Sequence, residues 1–526
     1  MTERLRAYIR TQHELGRRDF LKGLAAIGAA AAMPPTAGTA GARRPSFTRD
    51  PFQLGVASGD PDSQGVALWT RLAPEPLQGG GMSADPVEVR WEVSEDEGMR
   101  RIVRSGKSTA TADWAHSVHV EVDGLKPDRW YWYRFHAGDA VSPVGRTRTM
   151  PPEDALPERL RFAFASCQHY ETGLFTAYEH MAKEELDLVV HLGDYIYEAA
   201  GSAGKVRRHA GPKLTQLDHY RTRYAQYKSD PALRGMHAAA PWIVTWDDHE
   251  FANNCAGFIS ELGSDDPAEY RQRRAHAYQA YWEHMPLRRR SIPRGPFLKL
   301  YRRLPFGRLA EFMVMDTRQY RTDQPNGDGL KPSSPEQTDP RGTLMGTEQR
   351  EWLFDRLGSS RGAWNILAQQ VMMARVDRKE GPEEGFSMDQ WPGYEHERRM
   401  LLRFMKERKV ANPVVLTGDI HTHWANELGG DLDGAGGMPS AVELVGTSIS
   451  SGGDGSPRPA YLEQLKRENP IVKYHSAQRG YVRCDVTRAA WRADFRVMDQ
   501  VTRPGGGIRT GASFLVEAGR PRLEQI

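Results

Sequence analysis

Residues 188–194 read Leu-Val-Val-His-Leu-Gly-Asp, and Tyr-Ile-Tyr-Glu follows directly at 195–198. An apolar run of this length that closes on Gly-Asp is typical of a buried strand ending in a polar loop. The same pattern returns at 161–167, 242–250 and 413–423. Polar helical segments separate these runs from one another and from further apolar runs at 309–315, 364–368 and 441–445. The alternation predicts an α/β domain in which helices cover the sheets.

The region from about residue 50 to 150 has a different pattern. Apolar and polar residues alternate there, and turns of Gly, Pro and Asp separate the segments 65–71, 87–93, 117–122 and 130–135. Short strands of this kind predict a small all-β sandwich of the immunoglobulin or fibronectin type. A Pro-rich joint at 150–157 then leads into the α/β domain, which we expect at 158–520.

Two segments of the α/β domain, at 321–346 and 376–393, lack any periodicity. They are too long to be simple connections between strands and helices. We therefore expect them to act as binding loops or lids.

Residues 1–42 form a leader. Arg17-Arg18-Asp-Phe-Leu-Lys precedes a weakly apolar, Ala-rich run, and small residues continue to Ala40 and Ala42. This order predicts a secretory signal. The arginine pair resembles a twin-arginine signal, whose export machinery carries folded proteins, so we expect a periplasmic or secreted product.

Composition excludes several classes of protein. The chain has 526 residues, of which 39% are hydrophobic and 26% charged, as in a large globular protein. No apolar run is long enough to cross a bilayer, and three cysteines cannot build a disulfide scaffold. The leader carries six Lys or Arg and three acidic residues, which accounts for the whole net charge of +3. The remaining chain is neutral, so a general electrostatic affinity for nucleic acid is not expected.

The four polar tails carry related chemistry. Because ligands bind beyond the carboxyl ends of strands in open α/β sheets, tails far apart in sequence can converge on one site. Together they offer a thiol, a phenol, an amide, carboxylates and imidazoles. Crowded carboxylates need a compensating cation, and their oxygens suit a hard metal, whereas thiolate and phenolate suit a transition metal. The mixture predicts two unlike metals that share a bridging carboxylate.

The order of these motifs resembles a known family. Gly-Asp-x-x-Tyr, then Asp-Asp-His-Glu, then Gly-Asp-x-His is similar to the calcineurin-like metallophosphoesterases, and most closely to the PhoD-type alkaline phosphatases. Ser166-Cys167 and Asp247-Asp-His-Glu250 are the variants characteristic of that branch. The resemblance covers nearly the whole mature chain, because the family also has an N-terminal β-sandwich whose opening resembles residues 55–61 and 68–71. It implies a metallophosphoesterase-like α/β sandwich preceded by the small all-β domain.

The resemblance also implies the metals and their ligands. The implied ligands of Fe³⁺ are Cys167, Asp194, Tyr197 and His421. Those of Ca²⁺ are Asp194, Asp419 and either Asp248 or Asn254. His249 would contact the phosphoryl group or protonate the leaving alkoxide. The implied activity is that of an exported alkaline phosphatase, which hydrolyses phosphate monoesters and diesters with a metal-activated hydroxide.

Other interpretations stay open. Taken alone, Cys167 and Tyr197 are typical core residues, and Asp247 is typical of a turn or helix cap. The segment 316–321, with two arginines, fits an arginine fork for phosphate as well as a structural salt bridge. A phospholipase D-like phosphodiesterase that acts on phospholipids is one rival function. A secreted binding protein with a purely structural metal is another.

Overall fold

The computed structural model describes residues 46–261, 263–433, 436–457 and 462–526. The predicted export leader at 1–42 lies outside the described residues. Within the part of the chain that is described, no helix has both the length and the apolar character needed to cross a membrane.

The α-helices are α1 (Thr176–Met181), α2 (Leu217–Lys228), α3 (Pro231–Ala239), α4 (Pro267–His284), α5 (Gly346–Ser359), α6 (Glu395–Glu407) and α7 (Leu462–Glu468). The strands of the N-terminal region are β1 (Val56–Gly59), β2 (Val66–Arg71), β3 (Val87–Ser94), β4 (Ile102–Ala110), β5 (Ser117–Val122), β6 (Trp130–Ala137), β7 (Ala140–Val141) and β8 (Gly145–Arg148). The next are β9 (Arg159–Ala165), β10 (Leu188–His191), β11 (Trp242–Val244), β12 (Arg302–Phe306), β13 (Ala310–Val314), β14 (Leu330–Lys331), β15 (Trp364–Ala368), β16 (Phe386–Ser387) and β17 (Pro413–Thr417). The last are β18 (His423–Leu428), β19 (Ala441–Val445), β20 (Val472–Ser476), β21 (Gly480–Thr487), β22 (Ala490–Met498), β23 (Ile508–Glu517) and β24 (Arg520–Gln525).

Two mixed sheets form the body of the protein. The first has the strand order β24-β23-β22-β21-β9-β10-β11-β1-β2-β5, and the second has the order β12-β13-β15-β17-β19-β18-β20. Strands β9, β10 and β11 are parallel, as are β13, β15, β17 and β19. These central strands are almost entirely buried and apolar, as expected for parallel strands covered on both faces.

The two sheets pack face to face. Phe162 and Phe164 of the first sheet share one apolar core with Phe312, Ile366 and Leu416 of the second. The rings of Phe162 and Phe312 meet edge to face, with 5.3 Å between their centroids. Helices α2, α3 and α4 bury a second core against the outer face of the first sheet, and α5 and α6 bury a third against the second sheet. This layering confirms the predicted α/β sandwich.

The predicted all-β sandwich is also present. Its outer sheet has the order β4-β3-β6-β7, with β8 beside β6, and it packs on β1, β2 and β5. Those three strands belong to the first large sheet, because Gly59 of β1 pairs in parallel with Trp242 of β11. A Cβ atom at Gly59 would come within 2.5 Å of the carbonyl oxygen of Pro286, so the junction requires glycine. The sandwich and the α/β body therefore share one sheet, and the predicted boundaries 50–150 and 158–520 stay predictions.

The parallel strands of both sheets end at the same edge of the molecule. Gln370, just after β15, donates from Nε2 to Thr245 Oγ1 (2.8 Å) beyond β11 and to the carbonyl oxygen of Met315 (2.9 Å) beyond β13. Its own carbonyl oxygen accepts a hydrogen bond from Gly418 beyond β17, at 2.9 Å. One residue thus fixes three strand ends across the two sheets. The polar tails leave the sheets from this edge.

Candidate metal centre

An unusual backbone conformation marks the strand ends. Five of the predicted site residues have left-handed φ angles, although none is glycine. They are Cys167 (59°), Asp194 (56°), Asn254 (46°), Asp419 (62°) and His421 (60°). Such angles are uncommon for residues with a Cβ atom, and strained backbone is concentrated at functional sites. The backbone turns sharply at each of these five residues, and the turns bring the polar side chains together.

The four predicted iron ligands lie next to one another. Ligand atoms of Cys167, Asp194 and His421 all lie within 4.8 Å of each other. Tyr197 Oη donates a hydrogen bond to Asp194 Oδ2 (2.7 Å) and lies 3.1 Å from His421 Nε2. Three strand ends, those of β9, β10 and β17, supply this group.

The two soft donors of this group are deeply buried. Burial raises the pKa of the Cys167 thiol well above its ordinary value, and the neighbouring Asp194 carboxylate raises it further. The same two causes, in the same order, raise the pKa of the Tyr197 phenol. A cation at this point would favour the thiolate and the phenolate.

Two predicted carboxylate ligands, Asp248 and Asp419, form a second group with Asp247, which was not a predicted ligand. Asp247, Asp248 and Asp419 offer oxygens within 4.8 Å of one another, and so do Asp248 and Asp194 together with a nitrogen of His249. Asp248 therefore connects the carboxylate group to Asp194.

This second group carries more negative charge than its surroundings balance. Burial raises the pKa of Asp419 to about 6 and the pKa of Asp247 well above its usual value. Asp194 Oδ1 and Asp247 Oδ2 are buried, and among the described residues they have no hydrogen-bond partner. Buried, unpartnered carboxylate oxygens are costly unless a cation binds them. The donor set therefore fits metal ions.

Arg318 lies within the carboxylate group. Its guanidinium donates to Asp247 Oδ1 (2.5 Å), to both oxygens of Asp389 (2.8 Å) and to Asp419 Oδ1 (3.1 Å). The residue is only 2% exposed, so it is a buried counter-ion of the acidic side chains. Of the two interpretations of segment 316–321, the ion pair is the one that the structure shows.

His249 forms a dyad with a carboxylate. Its Nδ1 lies 2.7 Å from Glu198 Oε2, and its ring packs on Tyr197 with 4.2 Å between centroids. Burial on its own would lower the pKa of His249, but Glu198 and Asp248 outweigh it and hold this pKa well above its ordinary value. The imidazole is held in one orientation next to both ligand groups.

Comparison with known proteins decides the family. The model of the PhoD-like phosphatase family matches residues 162–495, and the model of its N-terminal domain matches residues 38–151. The chain belongs to the PhoD-like phosphatase family. A twin-arginine translocation signal matches residues 14–34, which confirms the predicted export leader.

A curated protein and a solved structure match the chain over almost its full length. Alkaline phosphatase D of Bacillus subtilis (strain 168) is 49% identical over 519 residues, which cover 97% of this chain and 89% of that protein. A solved structure of PhoD matches with a TM-score of 0.90 and 50% identity, over 92% of this chain and 93% of that one. These matches confirm the prediction of an exported phosphatase with this fold. The identity of the metals and the roles of individual residues stay predictions.

The two long loops of this PhoD-like phosphatase both reach the site. They pair with each other through β14 and β16, where Leu330 lies opposite Ser387. Asp328 of the first loop accepts a hydrogen bond from Asn254 Nδ2. Gln390 of the second donates to Asp419 Oδ2, at 3.0 Å. Each loop thus contacts one predicted ligand, and the role of the two loops as binding loops or lids stays a prediction.

Sequence reasoning missed two side chains that support the site of this PhoD-like phosphatase. Ser451 Oγ lies 2.6 Å from Tyr197 Oη and donates to the carbonyl oxygen of Cys167 at 2.8 Å. Arg479 donates to the carbonyl oxygen of His421 and to Ser448 Oγ. Both lie in the loops that follow β19 and β20, and no motif marks them. A strand end at β19, on the same edge as β17, was the only available signal.

Proposed function

We propose that the chain hydrolyses phosphate monoesters and diesters at this edge of the two sheets, with Fe³⁺ and Ca²⁺ as its metals. The carrying observation is the meeting of two buried donor groups, one with a thiol and a phenol and one of carboxylates, that are joined through Asp194 and Asp248. Two unlike groups that share carboxylates fit two unlike metals. Membership of the PhoD-like phosphatases supports the ester as the substrate.

The donor chemistry supports an assignment of ligands. Cys167, Tyr197 and His421 would hold Fe³⁺ together with Asp194, since thiolate, phenolate and imidazole suit a transition metal. Asp194, Asp248 and Asp419 would hold Ca²⁺ through oxygen.

Of Asp248 and Asn254, we propose Asp248 as the calcium ligand and Asn254 as an additional ligand. Asp248 converges with Asp247 and Asp419 in one cluster of ligand atoms and with Asp194 and His249 in another. Asn254 donates from its backbone N–H to Asp248 Oδ2 (2.7 Å) and from Nδ2 to Asp328, so its amide oxygen remains as the donor atom for a metal.

Bound there, the two metals would supply positive charge to the phosphoryl oxygens and lower the pKa of a water molecule to near neutrality. The protein's own residues do the rest. Glu198 accepts a hydrogen bond from His249 Nδ1–H and so orients the ring. The Nε2–H of the same ring would then donate its proton to the departing alkoxide. The packing of His249 on Tyr197 fixes the ring beside the ligand groups.

The test is metal analysis of protein purified without chelator, combined with hydrolysis of p-nitrophenyl phosphate and bis-p-nitrophenyl phosphate. We expect iron and calcium, a visible charge-transfer band from Tyr197 or Cys167, and cleavage of both esters. Asp194→Asn should lose the band and at least about 10³-fold in rate, or about 4 kcal/mol of transition-state stabilisation. Its far-UV circular dichroism should match the wild type, which separates loss of the site from loss of the fold. A well-folded wild type that binds no metal and cleaves neither ester would overturn the proposal.

His249→Asn separates proton transfer from metal binding. The variant should keep both metals and the visible band, while kcat falls by about 10²- to 10⁴-fold. Glu198→Gln should lower kcat by a smaller factor, about 10- to 100-fold, because it only misorients the imidazole. Equal kcat values for the wild type and His249→Asn would exclude the general-acid role.

A further inference from the structure

A third imidazole lies beside the predicted centre. The ring of His169 is 4.3 Å from that of Tyr197 and 5.1 Å from that of His209, measured between centroids. The Tyr197 ring therefore contacts His169 as well as His249. No motif in the sequence draws attention to His169, which follows the turn at Cys167 by two residues.

The backbone of His169 is held rigidly. Its N–H donates to Ser451 Oγ (3.1 Å), and its carbonyl oxygen accepts from Ser450 Oγ (2.9 Å). Ser451 also contacts Tyr197 Oη. The position of His169 is therefore coupled to the same loop that holds a predicted ligand.

The protonation of the ring is determined by its contacts. The backbone N–H of Glu171 donates to His169 Nδ1 at 3.2 Å, so in the neutral ring the proton lies on Nε2. The ring is half-buried, and among the described residues its Nε2–H has no hydrogen-bond partner. An oriented donor thus remains unused beside Tyr197, one of the predicted ligands.

We propose that His169 Nε2–H donates a hydrogen bond to a non-bridging phosphoryl oxygen of the substrate. This inference rests on the proposed function and adds a substrate-binding residue to it. No proton is transferred in this contact.

The test uses the metal-loaded enzyme and two variants. His169→Phe keeps an aromatic ring against Tyr197 but removes the donor, and His169→Gln restores an N–H at a similar distance from the backbone. We measure the inhibition constant of inorganic phosphate, kcat and KM for p-nitrophenyl phosphate, and the iron and calcium content. His169→Phe should weaken phosphate inhibition by about 10-fold and raise KM with unchanged metal content. His169→Gln should recover most of the loss.

His276→Phe serves as the matched control, because His276 lies on the outer helix α4 and contacts Gln272 and the carbonyl oxygen of Thr215. It should behave as the wild type. An unchanged phosphate inhibition constant in active, fully loaded His169→Phe would overturn the inference and leave the proposed function intact. Loss of metal from His169→Phe would also overturn it, since His169 would then act by packing on Tyr197. A metal-loaded wild type that cleaves no ester would overturn the proposed function itself.

Discussion

Two buried clusters of charge in this protein have opposite balances. At the junction between the sandwich and the α/β body, the Asp60 carboxylate lies among arginines. Arg302 donates to Asp60 Oδ1 at 2.9 and 2.6 Å, and Arg290 donates to Oδ2 at 3.2 Å. Burial would raise the pKa of Asp60, but the arginines outweigh it and lower this pKa below the ordinary value.

At the strand edge, the acidic side chains outnumber the basic ones. Arg318 is the shared partner of Asp247, Asp389 and Asp419, and it lies 3.8 Å from Asp248 as well. The pKa values of Asp247 and Asp419 are raised, first by burial and then, against Arg318, by the other carboxylates.

The difference distinguishes a structural cluster from a functional one. At the junction the protein satisfies its charge internally, so the cluster holds two parts of the fold together. At the strand edge the excess of negative charge, with the unpartnered oxygen of Asp194, is available to an external cation. Buried ionic groups are thus informative through their balance more than through their number.

Replacement of Arg318 at the strand edge, with Arg302 at the junction as its control, is the test of this contrast with the largest expected effect. Arg318→Gln leaves several buried carboxylates without a counter-ion, so the free energy of unfolding of the metal-free protein should fall by about 4 kcal/mol. Added Ca²⁺ should restore part of this loss. Arg302→Gln is the matched control at the junction, and Ca²⁺ should restore none of its loss. Chemical denaturation with and without Ca²⁺ measures both, and an identical response of the two variants would refute the contrast.

Asp60→Asn tests the junction directly, and we expect it to cost about 3 kcal/mol at neutral pH. Because the pKa of Asp60 is lowered in the folded protein, its contribution is complete above about pH 4, the ordinary carboxyl pKa. The contribution is lost as the pH falls through the lowered value. The difference between wild type and Asp60→Asn in unfolding free energy should therefore shrink below pH 4. A difference that stays constant from pH 7 to pH 3 would contradict the sign.

Metal addition sharpens the contrast further. Ca²⁺ at about 100 times its dissociation constant should stabilise the wild type by about 2.7 kcal/mol, read as a rise in Tm. Asp60→Asn should show the same increment from a lower starting Tm. Asp194→Asn should show little or none. If all three proteins gain equally, the ion binds outside the strand edge.

Asp328→Ala gives the smallest expected effect. Asp328 accepts a hydrogen bond from Asn254 Nδ2. Without the Asp328 carboxylate, the Asn254 amide is free to rotate away from the proposed calcium position. Calcium affinity measured by calorimetry should fall about 10-fold, while iron content stays constant. Asp339→Ala, in the same loop but paired with Arg341, is the control and should leave the affinity unchanged. A normal affinity in Asp328→Ala would show that Asn254 needs no such support.

Local sequence pattern predicted much of the fold. The runs 364–368, 413–417 and 441–445 are strands β15, β17 and β19 as expected, because parallel strands buried on both faces are continuously apolar. The C-terminal strands β21 to β24 were not predicted. They pair antiparallel at one side of the sheet, where exposed polar residues interrupt the apolar pattern.

The candidate site was predicted less evenly. Cys167, Asp194 and Asp419 stand directly after apolar runs, and family motifs identified them. Segment 316–321 left the role of Arg318 open between a phosphate ligand and an ion pair, and Ser451 gave no signal, since their roles depend on partners that lie 71 and 254 residues away. Such contacts follow from the tertiary arrangement of the two sheets and from no local pattern.

The position of β9 has a consequence for the order of events in the cell. This strand, which leads to Cys167, lies between β10 and β21, and Phe164 pairs with Val482 on the β21 side. The ribosome must therefore synthesise nearly the whole chain before β9 can complete its hydrogen bonds with both neighbouring strands. Folding of the catalytic body is a post-translational event with many non-local contacts, which is a slow process. An export pathway that accepts finished, folded proteins suits a chain built in this way, and the leader at 14–34 directs it there.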